Sequence, residues 1–134
     1  MNQMECLALT GIYSQIIEEL RKGTPRTIEL TSAHNLISLS QVNPGTFLFL
    51  TSVDCEDLTM GDTGIIVEVI TIAITMKSTV ESGYGYHIME RERMSARCKL
   101  KFLANSTVRT SVTCCSLIEP RIVDVVRPVY FHAG

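Results

Sequence analysis

Two runs of mainly apolar residues dominate the hydrophobic pattern of this chain. They are Phe47–Leu50 and Ile65–Ile74. The first follows Asn43-Pro44-Gly45 and the second follows Gly61-Asp62-Thr63-Gly64, so turn-forming residues introduce each run before the β-formers begin. Neither run alternates apolar with polar positions. Both are therefore predicted to be strands that are buried on both faces, as in the middle of a small barrel.

Two other segments have the spacing of helices. From Ile12 onward the apolar residues fall on one helical face, and Gly23 follows as a left-handed stop. The residues of that face are Ile12, Ile16, Ile17 and Leu20. Ser32 is placed to cap a second, shorter helix over residues 33–40. We expect one substantial helix and one short helix.

Shorter strands are predicted around these elements. Leu7–Leu9 precedes the first helix, and Ile122–Val126 lies near the end of the sequence. Arg26–Thr31, between the two helices, alternates with the period of a strand. Its apolar face holds Ile28 and Leu30, and its polar face holds Thr27, Glu29 and Thr31.

Two polar segments are predicted to interrupt the strands. Lys77–Gly85 is rich in serine, threonine and glycine, which is typical of an exposed, mobile loop. Asn105-Ser106 is predicted to be a turn, after which Val108–Leu117 returns as a partner strand.

The segment Tyr86–Leu103 combines a strand period with positive charge. Apolar or small residues recur at every second position from Met94 to Phe102. The opposite positions carry His87, Arg91, Arg93, Arg97, Lys99 and Lys101. Residues Met89–Arg93 also have fair helix propensity, so a bulge, an edge position or a helix stay open for that part.

The composition fits one domain over residues 1–134, with 46% hydrophobic and 19% charged residues. No apolar segment approaches the roughly 18 residues of a membrane-spanning helix, and we expect a cytoplasmic protein. The net charge is −2, but it is unevenly divided. Residues 1–81 hold four cations and ten acids (−6), whereas residues 82–134 hold eight cations and four acids (+4). The second half is therefore the basic half.

The cysteines and histidines do not indicate a metal site. Cys6, Cys55, Cys98, Cys114 and Cys115 are odd in number and contain no C-x-x-C pair, so we predict reduced thiols without a disulfide framework. His34, His87 and His132 are too scattered in sequence for a triad of ligands to be argued. We predict neither a metal nor a cofactor.

Three phrases carry a resemblance to a known family. They are Gly23-Thr24-Pro25-Arg26-Thr27-Ile28-Glu29-Leu30, Pro44-Gly45-Thr46-Phe47-Leu48-Phe49 and Gly64-Ile65-Ile66-Val67-Glu68-Val69. In this order, after an amphipathic helix, they resemble the ASCH domains of the PUA superfamily over roughly residues 5–76. The whole chain also looks like a member of an uncharacterised archaeal family catalogued only as a domain of unknown function.

The ASCH resemblance implies a fold and a site. The fold is α+β and mostly β, a PUA-like mixed β-barrel with one substantial helix and a short second helix; an α+β sandwich with other strand pairing is the alternative. The site is a cleft beside the glycine-to-glutamate segment that binds RNA or a nucleotide-like ligand. By position Arg26 matches the basic residue of the family and Glu29 its acid, while Thr31 stands where many members have a second arginine.

Glu68 is a further candidate because it interrupts an otherwise apolar run. A carboxylate in such a run must be paired, hydrogen-bonded or placed at a cleft. Amidohydrolases of the superfamily look to use a lysine at the position of Arg26. Arginine replaces such a lysine poorly, since its pKa stays above about 12. The sequence also lacks the common hydrolase motifs G-x-S-x-G and H-E-x-x-H.

Three classes of function follow, and the first is our expectation. It is an RNA-binding or nucleotide-binding module, without catalytic residues. Its ligand cleft would involve Arg26, Thr27, Glu29 and Glu68, and its phosphate contacts would come from Arg91, Arg93, Arg97, Lys99 and Lys101. The alternatives are a hydrolase of the amidohydrolase type on a modified nucleoside, and a protein-interaction or self-association module, for which a homo-oligomer is an option.

Overall fold

A computed structural model describes residues 3–82, 88–111 and 122–126, with side chains over 4–76, 93–110 and 122–126. Six strands and two helices follow one another in this part of the chain. They are β1 (Gln3–Leu9), α1 (Ser14–Arg21), β2 (Arg26–Leu30), α2 (Ala33–Leu39), β3 (Phe47–Leu50), β4 (Thr63–Ser82), β5 (Ile88–Ser111) and β6 (Ile122–Val126). The fold is therefore mostly β with two helices, as the sequence predicts.

The six strands form one mixed sheet in the order β2-β5-β4-β3-β1-β6. β1 and β3 run parallel, and the other pairs are antiparallel. β6 pairs with β5 as well as with β1, so the strand pairings β5-β4-β3-β1-β6 lead back to β5. β6, the last described strand, therefore lies between β1 and β5 and has a pairing partner on each side.

The two apolar runs are buried on both faces where they pair. Leu48 and Leu50 of β3 belong to one apolar core, which α1 and α2 cover. Phe49, between them in sequence, belongs to a second core. The prediction of burial on both faces is confirmed for β3 and for residues 65–67 of β4, but it fails toward Ile74, which is 41% exposed. The reason is that β4 extends beyond the helices that cover its first part.

Helix α1 ends, and helix α2 begins, at the residues that the sequence indicates. In α1, Ile17 and Leu20 are buried, and Gly23 after the helix has a φ of 94°. Ser32 is the N-cap of α2, where its Oγ accepts a hydrogen bond from the backbone N–H of Asn35 at 3.4 Å. Within the described residues, no helix is long and apolar enough to cross a membrane.

Two predicted interruptions are wrong. Residues 77–82 of the predicted loop Lys77–Gly85 continue β4 and pair with residues 88–93 of β5, while residues 83–85 lie outside the described residues. Asn105-Ser106, predicted to be a turn, lies inside β5. Tertiary partners satisfy these two polar side chains: Asn105 Oδ1 accepts from Arg21 Nε at 2.8 Å, and Ser106 Oγ donates to the Val126 carbonyl at 2.5 Å. The remainder of the predicted return strand, residues 112–117, lies outside the described residues.

The segment whose structure stayed open, Met89–Arg93, is strand. It pairs in regular antiparallel register with β4, from Glu81 opposite Met89 to Lys77 opposite Arg93. The alternating pattern from Met94 to Phe102 therefore continues a strand that includes Met89–Arg93. β4 and β5 together make a hairpin of 20 and 24 residues, far longer than the usual strand of five or six.

Candidate nucleic-acid interface and adjoining cleft

One face of β5 carries a row of exposed cations, which we call the basic face. Its described members are Arg93, Arg97, Lys99 and Lys101, all exposed. The residues between them on the opposite side, Ala96, Cys98 and Leu100, are fully buried. Alternation along a regular strand therefore separates charge from core, as predicted. Arg91 lies in the same strand, but its side chain is outside the described part.

The β-bulge beside the basic face lies in β4 and not in β5. Val69 pairs with Leu100 and Thr71 with Lys99, so Ile70 is an extra residue in β4, while β5 has no extra residue between Arg93 and Lys101. Because the extra residue is in β4, the cations of β5 stay on one face. Across this face Thr71 stands opposite Lys99 and Ala73 opposite Arg97, which leaves the basic side chains bordered by small residues.

The acids of the basic face come from neighbouring strands. Glu29 of β2 lies opposite Arg97 in the register, and its Oε2 is 3.4 Å from Arg97 Nε. The side chain of Arg97 is 66% exposed and that of Glu29 is 47% exposed. Glu68 of β4 is half-buried and lies opposite Lys101. The predicted residues Thr27, Glu29 and Glu68 thus share one face of the sheet with the cations.

Arg26 lies on the other face of β2. It stands opposite Leu100, whereas Thr27 stands opposite Lys99, so the two neighbours point to different sides of the sheet. The Arg26 guanidinium pairs with the Glu19 carboxylate of α1. The structure therefore does not bring Arg26 together with Glu29, although the two residues were predicted to line the same cleft.

A cleft of about 580 Å³ adjoins the basic face at β2. Its walls are the chain before α1, the end of β2, the start of α2 and the loop before β4. The polar residues among its lining are Thr10, Tyr13, Glu29, Thr31, Ser32, His34, Asn35, Asp54, Cys55 and Glu56, and the apolar ones include Ile12, Ile16, Ile28 and Leu30. Three carboxylates and no lysine or arginine are among the described lining residues. The cleft is therefore acidic.

Asn35 fixes one wall of this cleft. Its side chain is buried, and its Oδ1 accepts from the Thr10 N–H at 3.0 Å while its Nδ2 donates to the Thr10 carbonyl at 2.9 Å. The amide thus replaces a strand partner for Thr10, the residue that follows β1. Next to it in α2, the buried Nδ1 of His34 has no hydrogen-bond partner among the described residues.

The described residues contain no group of three or more histidine, cysteine, aspartate or glutamate side chains that could hold a metal ion. The described thiols are Cys6, Cys55 and Cys98, and none is in a disulfide. Burial raises the pKa of the Cys98 thiol from 9.0 to about 11. Burial, with the nearby charges of Asp124 and Glu5, raises that of Cys6 to about 12. Both thiols are core groups rather than nucleophiles.

Comparison with known families adds an assignment to this geometry. Residues 4–123 match the family model described as "Protein of unknown function (DUF473)". The chain belongs to this family. Searches of the curated proteins and of the solved structures found no match. Family membership therefore supplies no ligand, and the interpretation of the site rests on its residues.

Part of the cleft could not be predicted from the sequence alone. Asp54 and Glu56 lie in a polar loop between two strands, and a carboxylate in such a loop is usually solvated. Asn35 gives no signal either, because its position in α2 resembles that of any polar helix residue. Only the tertiary fold brings this loop and this helix to the edge of β2.

Proposed function

We propose that this chain binds RNA through the basic face of β5. The observation that supports this proposal is the row of four exposed cations on one side of one strand, facing away from the core. Of these four, only Arg97 has an ion pair among the described residues, and both partners of that pair are exposed. The other three cations are available to an external anion.

The geometry of a strand suits a linear polyanion. Side chains on one face of a strand recur about every 6.7 Å, so Arg93 to Lys101 covers on the order of 26 Å. A nucleic-acid backbone presents its phosphates in a line as well. Lysine and arginine that neutralise such phosphates release condensed counterions, which makes the binding favourable at low salt.

Contacts with the bases contribute little in this proposal. Among the described side chains of β2, β4 and β5, the one aromatic ring is Phe102, which packs against the first core instead of the basic face. Stacking platforms are what single-strand binders use to hold bases. Binding should therefore depend on phosphates and vary little with base sequence.

The test is fluorescence anisotropy with a labelled twelve-nucleotide single-stranded RNA, titrated at several salt concentrations. If the four described cations and Arg91 all contact phosphates, the logarithm of the binding constant should fall with the logarithm of salt with a slope of about −3.5. The double variant Arg93→Glu, Arg97→Glu should lose most of the binding. The matched control Lys22→Glu, Arg109→Glu makes the same change in net charge at exposed positions elsewhere and should bind nearly as wild type.

Two results would end the proposal. One is a binding constant that salt does not change, and the other is equal loss of binding in the two double variants. A duplex RNA in the same assay separates shape from charge, because its phosphates are arranged on a helix and not along one flexible strand. Weaker binding of the duplex supports a single strand laid along β5.

A PUA-like barrel is part of the same proposal. It is supported by the circuit of strand pairings that returns to β5, and by the order of helix, Gly23, β2, β3 and β4 over the segment that resembles ASCH domains. An experimental structure of the chain, superposed on ASCH domains, tests it. Absence of hydrogen bonds between β5 and β6 in that structure would remove the barrel.

The cleft supports a second candidate function, the binding of a small ligand. Its three carboxylates favour a ligand with positive charge over a nucleotide, whose phosphates they would repel. Isothermal titration with a diamine and with a nucleoside monophosphate distinguishes these ligands. The variant Asp54→Asn, Glu56→Gln should weaken diamine binding without affecting RNA binding, and preference for the nucleotide would overturn this assignment.

A further inference from the structure

The acidic cleft follows one edge of β2. Four consecutive residues line it: Ile28, Glu29 and Leu30 of β2, and Thr31 directly after the strand. Because neighbouring residues of a strand point to opposite faces of the sheet, a cleft beside either face would contact mainly every second one. None of the described lining residues belongs to β5, the partner of β2 on its other side. The cleft therefore lies along the edge of β2 that faces away from β5.

This edge of β2 has no strand partner among the described residues, since β5 is the one described strand that pairs with β2. In an antiparallel pair, alternate residues direct their N–H and C=O groups to the partner, and the residues between them direct theirs outward. Within the described part of the chain, the backbone hydrogen bonds outside helices and strand pairs include none from residues 28–31. The outward donors and acceptors of β2 are thus available to a ligand in the cleft.

Another wall of the cleft carries negative charge and an aromatic ring. Asp54 and Glu56 are exposed, and neither has an ion pair with a described residue. Asp54 lies close to the backbone of Gly11, because a Cβ at that glycine would be 3.2 Å from Asp54 Oδ1. Tyr13, which also lines the cleft, is 77% exposed. Carboxylates bind ammonium and guanidinium groups, and the face of an aromatic ring adds a cation–π contact.

The dimensions of the cleft suit a short extended peptide. Four residues at about 3.3 Å each give an edge of roughly 13 Å. The volume of about 580 Å³ is that of a pocket for a small ligand. A compact diamine would use the carboxylates but would leave the outward backbone groups of β2 without a partner. An extended peptide uses both, because its main chain pairs with the strand edge while its side chains meet the walls.

We propose that the cleft binds an extended peptide rich in lysine or arginine, which adds to the free edge of β2 as a further strand. The inference rests on the second candidate function, the binding of a cation by this cleft, and names the ligand that fills it. Glu29, Asp54 and Glu56 favour basic side chains and repel acidic ones. The basic face of β5 repels the same peptide, so the cleft is the surface that attracts it.

The first test uses wild-type protein, so it does not depend on whether a variant folds. Fluorescence anisotropy compares two labelled six-residue peptides that alternate lysine with valine, one N-methylated at every lysine and the other at every valine. The two peptides have the same charge, but methylation blocks opposite edges of the strand, because N–H groups of alternate residues point to opposite sides. In an added strand, one peptide should bind at least about tenfold more tightly than the other. Equal affinities overturn the proposal.

A second test assigns the binding to the cleft with the unmethylated peptide. Asp54→Asn, Glu56→Gln should weaken its binding at least several-fold. The control Glu5→Gln, Asp57→Asn removes two exposed carboxylates that do not line the cleft and should bind the peptide as wild type does. Equal loss of binding in the two variants overturns the assignment to the cleft.

Titration with the diamine separates this inference from the candidate function on which it rests. If the diamine binds and the two methylated peptides have equal affinities, the cleft is a cation site and the added strand is wrong. If neither the diamine nor the unmethylated peptide binds, both the cation site and the added strand are wrong. Binding of the diamine together with unequal affinities of the methylated peptides supports both.

Discussion

Glu29 of β2 and Arg97 of β5 face each other across an antiparallel pair, with Glu29 Oε2 3.4 Å from Arg97 Nε. This is the described ion pair within the basic face. The carboxylate lies between two surfaces, since it also lines the acidic cleft. Glu29 therefore reduces the positive potential of one surface and contributes negative charge to the other.

Removing this charge should strengthen RNA binding. Glu29→Gln keeps the shape of the side chain but frees Arg97 for a phosphate, so affinity for the labelled RNA should rise a few-fold at low salt. Stability should change by less than about 1 kcal/mol, because both partners are partly exposed. The RNA anisotropy titration measures the first effect and urea unfolding the second. Unchanged or weaker RNA binding would contradict the assigned role.

Loss of the Asn35 amide should destabilise the fold. Asn35→Ala leaves the N–H and the carbonyl of Thr10 without their partner in a buried position, at a cost of about 2–4 kcal/mol. The control Asn43→Ala removes an exposed amide and should change the free energy of unfolding by about 0.5 kcal/mol or less. Urea unfolding of both variants checks this difference. Equal stability of the two variants would mean that water replaces the Asn35 amide.

Gly64 should not accept a side chain. A Cβ at this position would lie 2.2 Å from the Leu50 carbonyl oxygen and 2.5 Å from Phe49 Cζ, so β3 and β4 would have to separate. We expect Gly64→Ala to cost more than about 3 kcal/mol. A Cβ at Gly23 would meet no neighbouring atom, so Gly23→Ala should lower the free energy of unfolding only through its left-handed backbone, by about 1–2 kcal/mol. Thermal unfolding that ranks Gly23→Ala as the more damaging change would refute the close approach at Gly64.

The Cys98 thiol predicts a loss of stability at alkaline pH. Its pKa is about 11 in the folded chain and 9.0 as the ordinary value, so folding favours the protonated thiol. This contribution is complete below pH 9 and is lost as the pH rises from 9 to 11, by about 1.4 kcal/mol per unit. Urea unfolding of wild type at pH 8 and pH 10.5 measures the loss. Cys98→Ala should lose correspondingly less over the same interval, and an identical loss would exclude Cys98 as its cause.

Local patterns in the sequence were sufficient for most of the elements. The alternation of β2 placed Ile28 and Leu30 in the core, and the continuous run of β3 indicated burial on two faces. The alternation in β5 separated its exposed cations from buried Cys98 and Leu100. In each case the pattern reports which side of a strand meets water, and that is decided within a few residues.

What the sequence could not reveal depends on distant partners. Asn105 and Ser106 have the composition of a turn, but Arg21 and Val126 satisfy them inside a strand. The acidic cleft assembles residues from four parts of the chain, and no local pattern relates Glu29 to Asp54. Arg26 shows the same limit, because its partner Glu19 on α1 is known only once helix and strand have packed.

The position of β6 has a consequence for how the chain acquires its structure during synthesis. β1 pairs with β6, so Gln3 meets Val126 only after nearly the whole sequence has left the ribosome. At about 5–20 residues per second, the first strand waits several seconds with one edge unpaired. Pairing of such distant segments is also slow in itself, because a long loop must close first. The nascent chain therefore passes through a stage in which β1 can pair with a strand of another molecule, and high expression rates should favour aggregation at that stage.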